Sequence, residues 1–201
     1  MSVTEVRGRS LSPAARSRST GPASALVVDT RRLGRRGGSM MPVERTVPAP
    51  SRIGLDLIAV PEGADLHLDL RLESVTEGVL VSGTVDADTV GECSRCLEPF
   101  TSHVQLHLTE LFAYPDSVTD ETTDADDVYR VEDDAVDLEP LIVDVAGLTL
   151  PLRPLCSEDC EGLCPECGIR LSIAEPGHAH ETLDPRWAGL AAKLQDQSSD
   201  T

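Results

Sequence analysis

Cysteine spacing constrains this chain more than any other feature. Cys156, Cys160, Cys164 and Cys167 lie within the run 156–168, and Cys93 and Cys96 lie about sixty residues upstream in the run 91–100. A Cys-x-x-Cys turn directs two thiolates at one point, and nearby Gly and Pro let the backbone fold round an ion. The spacing therefore predicts a metal site that joins two distant parts of the chain.

Ligand counting extends this prediction to two histidines. A structural zinc site takes four protein ligands, and six cysteines are not a multiple of four. The run Gly177-His-Ala-His180 supplies two further ligands shortly after Cys167. The cofactor is therefore predicted to be zinc, as one or two ions, with eight candidate ligands: Cys93, Cys96, Cys156, Cys160, Cys164, Cys167, His178 and His180.

Three divisions of these ligands are open. The favoured one closes a local loop with Cys164, Cys167, His178 and His180, and joins Cys93 and Cys96 to Cys156 and Cys160. The rival division joins Cys93 and Cys96 to Cys164 and Cys167, leaving Cys156, Cys160 and both histidines for the second ion. A third has one zinc, with both histidines merely exposed. Zinc is favoured over disulfides because Cys-x-x-Cys pairs in a cytosolic chain more often hold metal.

Charge is distributed unevenly along the chain. Residues 1–52 hold ten arginines against three acidic residues, a net charge of +7. Since the whole chain has a net charge of -18, residues 53–201 carry -25. Residues 1–24 have no periodicity and are predicted to be a disordered basic tail. Residues 30–39 form a basic, glycine-rich loop without a nucleotide-binding pattern. Its candidates for RNA backbone contact are Arg31, Arg32, Arg35 and Arg36, with a plain solvated loop as the alternative.

Strand periodicity dominates the middle of the chain. Residues 65–73 alternate polar and apolar side chains, Glu77-Gly78 forms a turn, and residues 79–85 give the partner strand of a hairpin. A further strand runs into the Cys93 turn, and residues 103–112 alternate again after it. The first cysteine pair is thus predicted at the tip of a strand-turn-strand unit. His67, His103 and His107 fall on the polar phase and are interpreted as solvated side chains.

Two helices are predicted after the strands. An acidic stretch at 115–137 precedes them and is read as a solvated loop, or else as a surface for a basic partner; its pair Asp126 and Asp127 has no predicted pocket. One helix begins at Glu139-Pro140, and its apolar residues Leu138, Leu141, Ile142, Val145 and Leu148 are expected to pack on the sheet. The other follows Asp184-Pro185, with an apolar stripe of Trp187, Leu190, Ala191 and Leu194.

The predicted fold class is α+β. It comprises an antiparallel sheet, with barrel-like closure left open, two short helices and a C-terminal zinc-binding segment at 156–180. A single domain is predicted over residues 25–195, followed by a frayed end at 196–201.

Catalysis is not expected. A redox Cys-x-x-Cys usually opens a helix, whereas Cys96 leads into a strand, and a closed four-ligand site leaves no position for water. We therefore expect no enzyme activity and no small-molecule substrate. No apolar run approaches the roughly 20 residues that span a bilayer, and the N-terminus lacks an apolar signal core, so we expect a cytoplasmic protein without membrane association.

The cysteine motifs resemble those of the bacterial YceD family. The resemblance rests on Cys93-Ser-Arg-Cys96-Leu-Glu-Pro-Phe100, on the run from Pro151 to Gly168, and on Asp184-Pro-Arg-Trp187, and it covers roughly residues 25–195. Members are called large ribosomal RNA subunit accumulation proteins. Many have a Cys-x-Cys where this chain has His178-Ala-His180, which implies a ligand role for both histidines. The resemblance transfers no catalytic residue.

The resemblance implies a non-enzymatic factor in large ribosomal subunit biogenesis. Its implied partner is large-subunit ribosomal RNA or a pre-ribosomal particle, contacted through the Arg31–Arg36 loop or through a ribosomal protein. The cysteine motifs by themselves also suggest two alternative functions. One is a redox-responsive zinc switch that releases metal when its thiols oxidise, and the other is an RNA-polymerase-associated zinc ribbon.

Overall fold

The computed structural model describes residues 24–124 and 128–180. The predicted helix after Asp184-Pro185, the frayed end at 196–201 and the basic tail up to residue 23 lie outside this part. So do Asp126 and Asp127. The prediction of one domain from 25 to 195 therefore stays a prediction.

The centre of the fold is an antiparallel meander of three long strands: β5 (Asp65–Ser74), β6 (Gly78–Glu92) and β7 (Pro99–Ala113). β6 pairs with β7 along its whole length. The sequence predicted two strands, 79–85 and a further one leading to Cys93, where β6 is a single strand. Gly83 has a φ of 139°, and a Cβ there would lie 2.2 Å from the carbonyl oxygen of Asp69.

Four shorter strands complete this sheet. Strand β2 (Met40–Pro48) pairs with β5, and the hairpin of β3 (Ile53–Leu55) and β4 (Ile58–Val60) joins β6 near its end. Strand β8 (Tyr129–Arg130) runs parallel to β7. The sequence reasoning missed β2, since its two prolines suit only an edge strand. The pairing order of the described strands does not close on itself, so the barrel-like alternative gains no support.

The acidic stretch is more ordered than the favoured prediction of a solvated loop. It contains helix α1 (Val118–Thr122), strand β8 and strand β9 (Ala135–Asp137). Strand β9 pairs with β1 (Val27–Asp29) in a separate two-stranded sheet. The prediction was wrong here because a few apolar residues anchor the segment: Val136 is fully buried and Val131 nearly so.

Helix α2 (Leu138–Thr149) confirms the helix predicted at Glu139-Pro140. The Asp137 carboxylate accepts a hydrogen bond from the Glu139 N–H at 3.0 Å, which caps the first turn. Leu138, Leu141 and Ile142 are buried as predicted. The prediction was wrong for Leu148, which is 88 % exposed because nothing among the described residues covers the last turn of the helix.

The core lies between one face of the sheet and α2. Leu66, Leu68, Leu70 and Leu72 of β5 point into it, while the intervening polar residues of the strand are exposed or half-buried. Helix α2 contacts β7 and β3. The Phe112 and Tyr129 rings pack 5.3 Å apart, and the Tyr129 hydroxyl donates to the Asp144 carboxylate of α2. The expected α+β class with a mostly antiparallel sheet is confirmed. The described helices are α1 and α2, and of these the sequence predicted only α2. In the described part of the chain no helix has the length and apolar character to cross a membrane.

Candidate metal centres

The first Cys-x-x-Cys turn forms the tip of the β6–β7 hairpin. The Cys93 N–H donates to the Glu98 carbonyl at 2.9 Å, and the Leu97 N–H donates to the Cys93 carbonyl at 2.8 Å. Leu97 adopts a left-handed backbone with a φ of 62°. This turn brings the side chains of Cys93 and Cys96 to the same side of the tip, where both are buried.

The second Cys-x-x-Cys turn repeats the first in its hydrogen bonds. The Cys164 N–H donates to the Ile169 carbonyl at 2.8 Å, and the Gly168 N–H donates to the Cys164 carbonyl at 2.9 Å. Gly168 has a φ of 73°, so it occupies the position that Leu97 occupies in the first turn. The chain thus builds one kind of thiol-presenting turn twice, once on a long hairpin and once on a short loop.

The first cluster contains Cys93, Cys96, Cys156 and Cys160, whose sulfur atoms all lie within 4.8 Å of one another. The Cys93–Cys160 and Cys96–Cys156 sulfur pairs are each 3.7 Å apart. A tetrahedral zinc with bonds of about 2.3 Å requires sulfur separations of about 3.8 Å, whereas a disulfide requires about 2.05 Å. The donor set and its spacing therefore fit zinc, and these thiols are free.

The second cluster contains Cys164, Cys167, His178 and His180, again within 4.8 Å. Cys167 Sγ lies 3.4 Å from His178 Nε2, and the two Nε2 atoms lie 3.0 Å apart. Zinc bonds of about 2.0–2.3 Å to nitrogen and sulfur give tetrahedral separations of about 3.3–3.6 Å. The sulfur–nitrogen separation falls in this range and the nitrogen–nitrogen separation is 3.0 Å, slightly below it, so the donor set suits zinc after a small adjustment of the two imidazoles. Cys167 and His180 are exposed.

Each cluster contains one thiol that the protein favours in its ionised form. Burial raises the pKa of Cys93, but the backbone N–H groups of Cys156, Cys96 and Arg95 lower it more, to about 6. Backbone N–H groups of Cys167 and Glu166 lower the pKa of Cys164, also to about 6. Burial raises the pKa of Cys160 instead. Since the thiolate is the metal-binding form, the two turns are prepared for a cation by their own backbone.

Hydrogen bonds that involve no cysteine side chain hold these elements together. Ser94 donates to the Pro154 carbonyl through both its N–H and its hydroxyl, each at 2.9 Å. Arg95 Nη1 donates to the Cys160 carbonyl at 2.9 Å. Glu98 forms a 2.9 Å ion pair with Arg170 of the second turn. The hairpin tip, the segment after Pro154 and the second turn therefore form one assembly.

The structure brings the eight candidate ligands together in the favoured division, as two groups of four. The sequence reasoning missed the roles of Ser94, Arg95 and Glu98. They lie inside or beside the first cysteine pair, but their partners are about sixty to seventy residues away, and nothing in the local pattern signals those partners.

The four candidate RNA-binding arginines lie at the other end of the sheet. Their loop is anchored by the buried Leu33 and by the Gly38 N–H, which donates to the Ser74 carbonyl at 2.9 Å. Ser74 ends β5 at the end of the β6–β7 hairpin opposite its cysteine tip. Fifteen residues of strand span about 45 Å, so the arginine loop and the cysteine clusters form separate sites.

The four arginines are not equivalent. The Arg35 guanidinium lies over the Tyr114 ring at 4.4 Å and pairs with Asp116 at 3.2 Å, and Arg31 pairs with Asp29 at 3.8 Å. Arg32 and Arg36 are exposed and have no ion pair among residues 24–124 and 128–180. They keep their full charge available to a phosphate. Sequence reasoning did not find Tyr114, because only the fold brings it to this loop.

The remaining histidines lie outside both clusters. His67 bonds the Thr46 hydroxyl at 2.8 Å, and His103 lies 3.1 Å from Asp88 and 3.3 Å from Asp86, which raises the pKa of His103. His67, His103 and His107 are all exposed on the polar face of the sheet, which agrees with their interpretation as solvated side chains.

The two equivalent turns predict opposite effects of two substitutions. Gly168→Ala places a Cβ on a left-handed residue, with no atom within 4 Å of it, so the cost is in the backbone alone. We expect it to lower the free energy of unfolding by about 1–2 kcal/mol. Leu97→Gly relieves the same strain at an exposed position and is expected to leave stability unchanged or raise it. Urea denaturation measures both, and equal stability of Gly168→Ala and the parent would contradict the proposed requirement.

Comparisons with known proteins identify a family and several relatives of the chain. The family model described as "Large ribosomal RNA subunit accumulation protein YceD" matches residues 81–193, which include all eight cluster residues. An uncharacterized protein of Mycobacterium tuberculosis is 60 % identical over 176 residues, covering 88 % of this chain and 84 % of that protein.

Two further relatives match the chain at lower identity. An uncharacterized protein of Mycobacterium leprae is 51 % identical over 171 residues, covering 85 % of this chain and 78 % of that protein. The uncharacterized protein YlbN of Bacillus subtilis is 31 % identical over 131 residues, covering 64 % of this chain and 74 % of that protein. No solved structure matches the chain significantly. The family match over residues 81–193 and the extent of these relatives show that the chain belongs to the YceD family.

Proposed function

We propose that the chain is a non-enzymatic, zinc-stabilised factor in large ribosomal subunit biogenesis. It supports the accumulation or processing of large-subunit ribosomal RNA in the cytoplasm. The observation that carries the ribosomal part is the family match over residues 81–193, since that family is named for this role. The observation that carries the zinc part is the pair of four-ligand clusters.

Zinc is the cofactor that best suits both clusters. Thiolate and imidazole ligands in sets of four at tetrahedral spacing are typical of structural zinc sites. One ion would be held by Cys93, Cys96, Cys156 and Cys160, and another by Cys164, Cys167, His178 and His180. Since four protein ligands leave no position for water, the ions would stabilise the fold and perform no reaction. This is the chemical support for a non-enzymatic role.

The arginine loop is the part of the chain best suited to RNA. Its exposed Arg32 and Arg36 lie far from the clusters, and Arg35 on the Tyr114 ring holds the neighbouring backbone in place. The net charge of -18 disfavours broad phosphate binding, so contact with RNA would be confined to this loop. The acidic body would instead suit a basic ribosomal protein within a pre-ribosomal particle.

Depletion of the protein tests the proposed function. We expect precursor large-subunit RNA to accumulate, mature large-subunit RNA to fall, and large subunits to decline in sucrose gradients. Re-expression of the parent chain should restore all three, and a Cys93→Ser, Cys160→Ser double variant should restore less because it removes two ligands of the first cluster. Ser82→Ala, on the sheet away from both clusters, is the matched control. Unchanged RNA levels and normal subunit profiles on depletion would contradict the proposal.

The arginine loop generates a separate prediction about RNA affinity. An Arg32→Gln, Arg36→Gln double variant should bind a large-subunit RNA fragment more weakly, and the slope of log affinity against log salt should fall by about 2, one for each lost phosphate contact. Arg71→Gln, at an exposed arginine of β5, should change neither quantity. Affinity and slope that are equal in all three proteins would show that the loop does not contact the RNA.

A redox-responsive zinc switch is the second candidate function. Only the second cluster favours it. There the sulfur of the exposed Cys167 lies within 4.8 Å of the sulfur of Cys164, and the pKa of Cys164 is lowered to about 6. Oxidation of such thiolates would release the metal. Zinc retained through mild peroxide treatment would remove this candidate and leave the biogenesis proposal intact.

A further inference from the structure

Strand β7 has an unpaired edge along most of its length. On one side it pairs with β6, whereas on the other side β8 pairs only with Phe112 and Ala113 at the end of the strand. In the described part of the chain no further strand pairs with β7, so residues 99–111 have one free edge. At the usual rise per residue of a strand this edge is about 40 Å long.

The hydrogen bonds at the two ends of β7 show which backbone groups reach the free edge. The Glu98 carbonyl accepts from the Cys93 N–H at 2.9 Å. At the other end the Tyr114 N–H donates to the Glu77 carbonyl at 2.9 Å. Bonding residues alternate along an antiparallel pair, so the even-numbered residues of β7 bond to β6 and the odd-numbered residues face the free edge. Five N–H groups of the edge have no partner among residues 24–124 and 128–180: Thr101, His103, Gln105, His107 and Thr109.

The opposite edge of the sheet is protected, whereas the β7 edge is not. Strand β2 forms that opposite edge, and the bond from the Ser74 N–H to the Ser39 carbonyl shows that its even-numbered residues face outward. Two of them are Pro42 and Pro48, which have no N–H to offer. Proteins protect free edges with proline, lysine or bulges because such edges pair with other chains. Residues 100–111 contain no proline, lysine or arginine, and their register with β6 has no bulge.

A groove beside the free edge has room for one side chain. Its volume is about 260 Å³, below the roughly 300–1,000 Å³ of pockets for drug-sized ligands, and it lies between β7 and the segment after α2. The side chain of His103 lies on the opposite face against Asp86 and Asp88, yet His103 lines the groove, so the groove reaches the backbone of the edge. Most of the lining is apolar: Ile58, Phe100, Val104, Leu150, Pro151 and Leu155. When a strand is added to a sheet, main-chain bonds give affinity and pockets of this kind select side chains.

A buried hydroxyl in this groove lacks a partner. Thr89 lines the groove and is 1 % exposed, and its hydroxyl has no hydrogen-bond partner among the described residues. Buried hydroxyls without a partner are unusual in native proteins. The groove therefore suits a bulky side chain with an apolar body and a polar tip, as in tyrosine.

The charges around the edge specify the rest of the partner. Strands β6 and β7 and helix α2 contain no lysine or arginine. Their six carboxylates are those of Asp86, Asp88, Glu92, Glu110, Glu139 and Asp144. A second copy of this chain would bring the same negative charges to the edge and be repelled, whereas a basic segment would be attracted.

We propose that the free edge of β7 and the adjoining groove bind an extended, basic segment of a partner protein by strand addition. The main chain of the segment pairs with the odd-numbered residues between 101 and 109. One bulky side chain enters the groove, and lysine or arginine side chains are directed towards the carboxylates of β6, β7 and α2. This inference goes beyond the proposed function and does not rest on it, because the edge and groove would accept such a segment whichever process the chain serves.

Selection from a phage-displayed library of random nine-residue peptides on the full-length chain tests the proposal. We expect the enriched peptides to combine lysine or arginine with one bulky apolar or aromatic residue. The synthesised peptide should bind more weakly as salt is added. Gln105→Pro removes one outward N–H from the edge and should weaken binding of that peptide about tenfold.

Thr46→Pro is the matched control. It removes one outward N–H from the β2 edge instead, and each substitution also deletes one side-chain hydrogen bond on the same face of the sheet. These are the bonds from Gln105 to Asp86 at 2.9 Å and between Thr46 and His67 at 2.8 Å. Thr46→Pro should leave the affinity for the peptide unchanged, and far-UV circular dichroism verifies that both variants keep the fold.

Two further measurements need no variant of the chain. N-methylation of alternate peptide amides blocks one edge of the peptide strand, so one of the two alternating sets should abolish binding and the other should leave it unchanged. In NMR hydrogen exchange of the free chain, the five edge N–H groups should exchange faster than those of Val104 and Leu106, which face β6. Bound peptide should slow the exchange of the edge groups.

Several results would overturn the proposal. A library that yields no binding peptide, or peptides without basic residues, would show that the edge has no such partner. Equal effects of Gln105→Pro and Thr46→Pro, or equal binding of both N-methylated sets, would place the peptide elsewhere. Slow exchange of the edge groups in the free chain at every concentration would show that the chain covers its own edge. Slow exchange that disappears on dilution would assign the edge to a second copy of the chain.

Discussion

The structure depends on the meeting of four thiols at the tip of the β6–β7 hairpin. Cys93 and Cys96 arrive on a long antiparallel arm, Cys156 and Cys160 arrive on irregular chain, and all four sulfur atoms lie within 4.8 Å. Thiolates packed this closely repel one another and lose solvation, so the arrangement requires a cation or protons to be stable. Bonds from Ser94 and Arg95 to the segment 154–160 hold the backbone in place, and zinc would remove the repulsion.

The length of that hairpin separates two kinds of surface. At its tip lie the metal-binding turns, the acidic residues around them and an apolar groove; at its base, some 45 Å of strand away, lies the arginine loop. Metal binding at one end would therefore affect contacts at the other only through the stability of the strands. Under the proposed function, this separation would let a strongly acidic protein present a local basic contact to RNA without binding phosphate along its whole surface.

Several parts of the fold and of the metal-binding clusters could be predicted from local sequence patterns. The alternation of β5 reports a strand with one buried face. The spacing of the cysteines and histidines favours the observed division, because Cys164, Cys167, His178 and His180 close a small loop at little entropic cost, but it left two other divisions open. Features that depend on distant partners could not be predicted. Strand β2 contains two prolines that only an edge position accommodates, Tyr114 reaches Arg35 through the fold, and Val136 orders an acidic stretch by pairing with β1. Leu148 follows the helical period, but its burial depends on what covers the last turn of α2.

Native mass spectrometry of the purified full-length chain tests the central claim most directly. We expect the mass of two zinc ions with all six cysteines reduced. A Cys93→Ser, Cys160→Ser variant should keep one ion, and a Cys164→Ser, Cys167→Ser variant should also keep one, since each pair belongs to a different cluster. Loss of both ions from either variant would show that the clusters are not independent sites. A parent chain without metal, with its six cysteines joined in disulfides, would contradict the account of this fold.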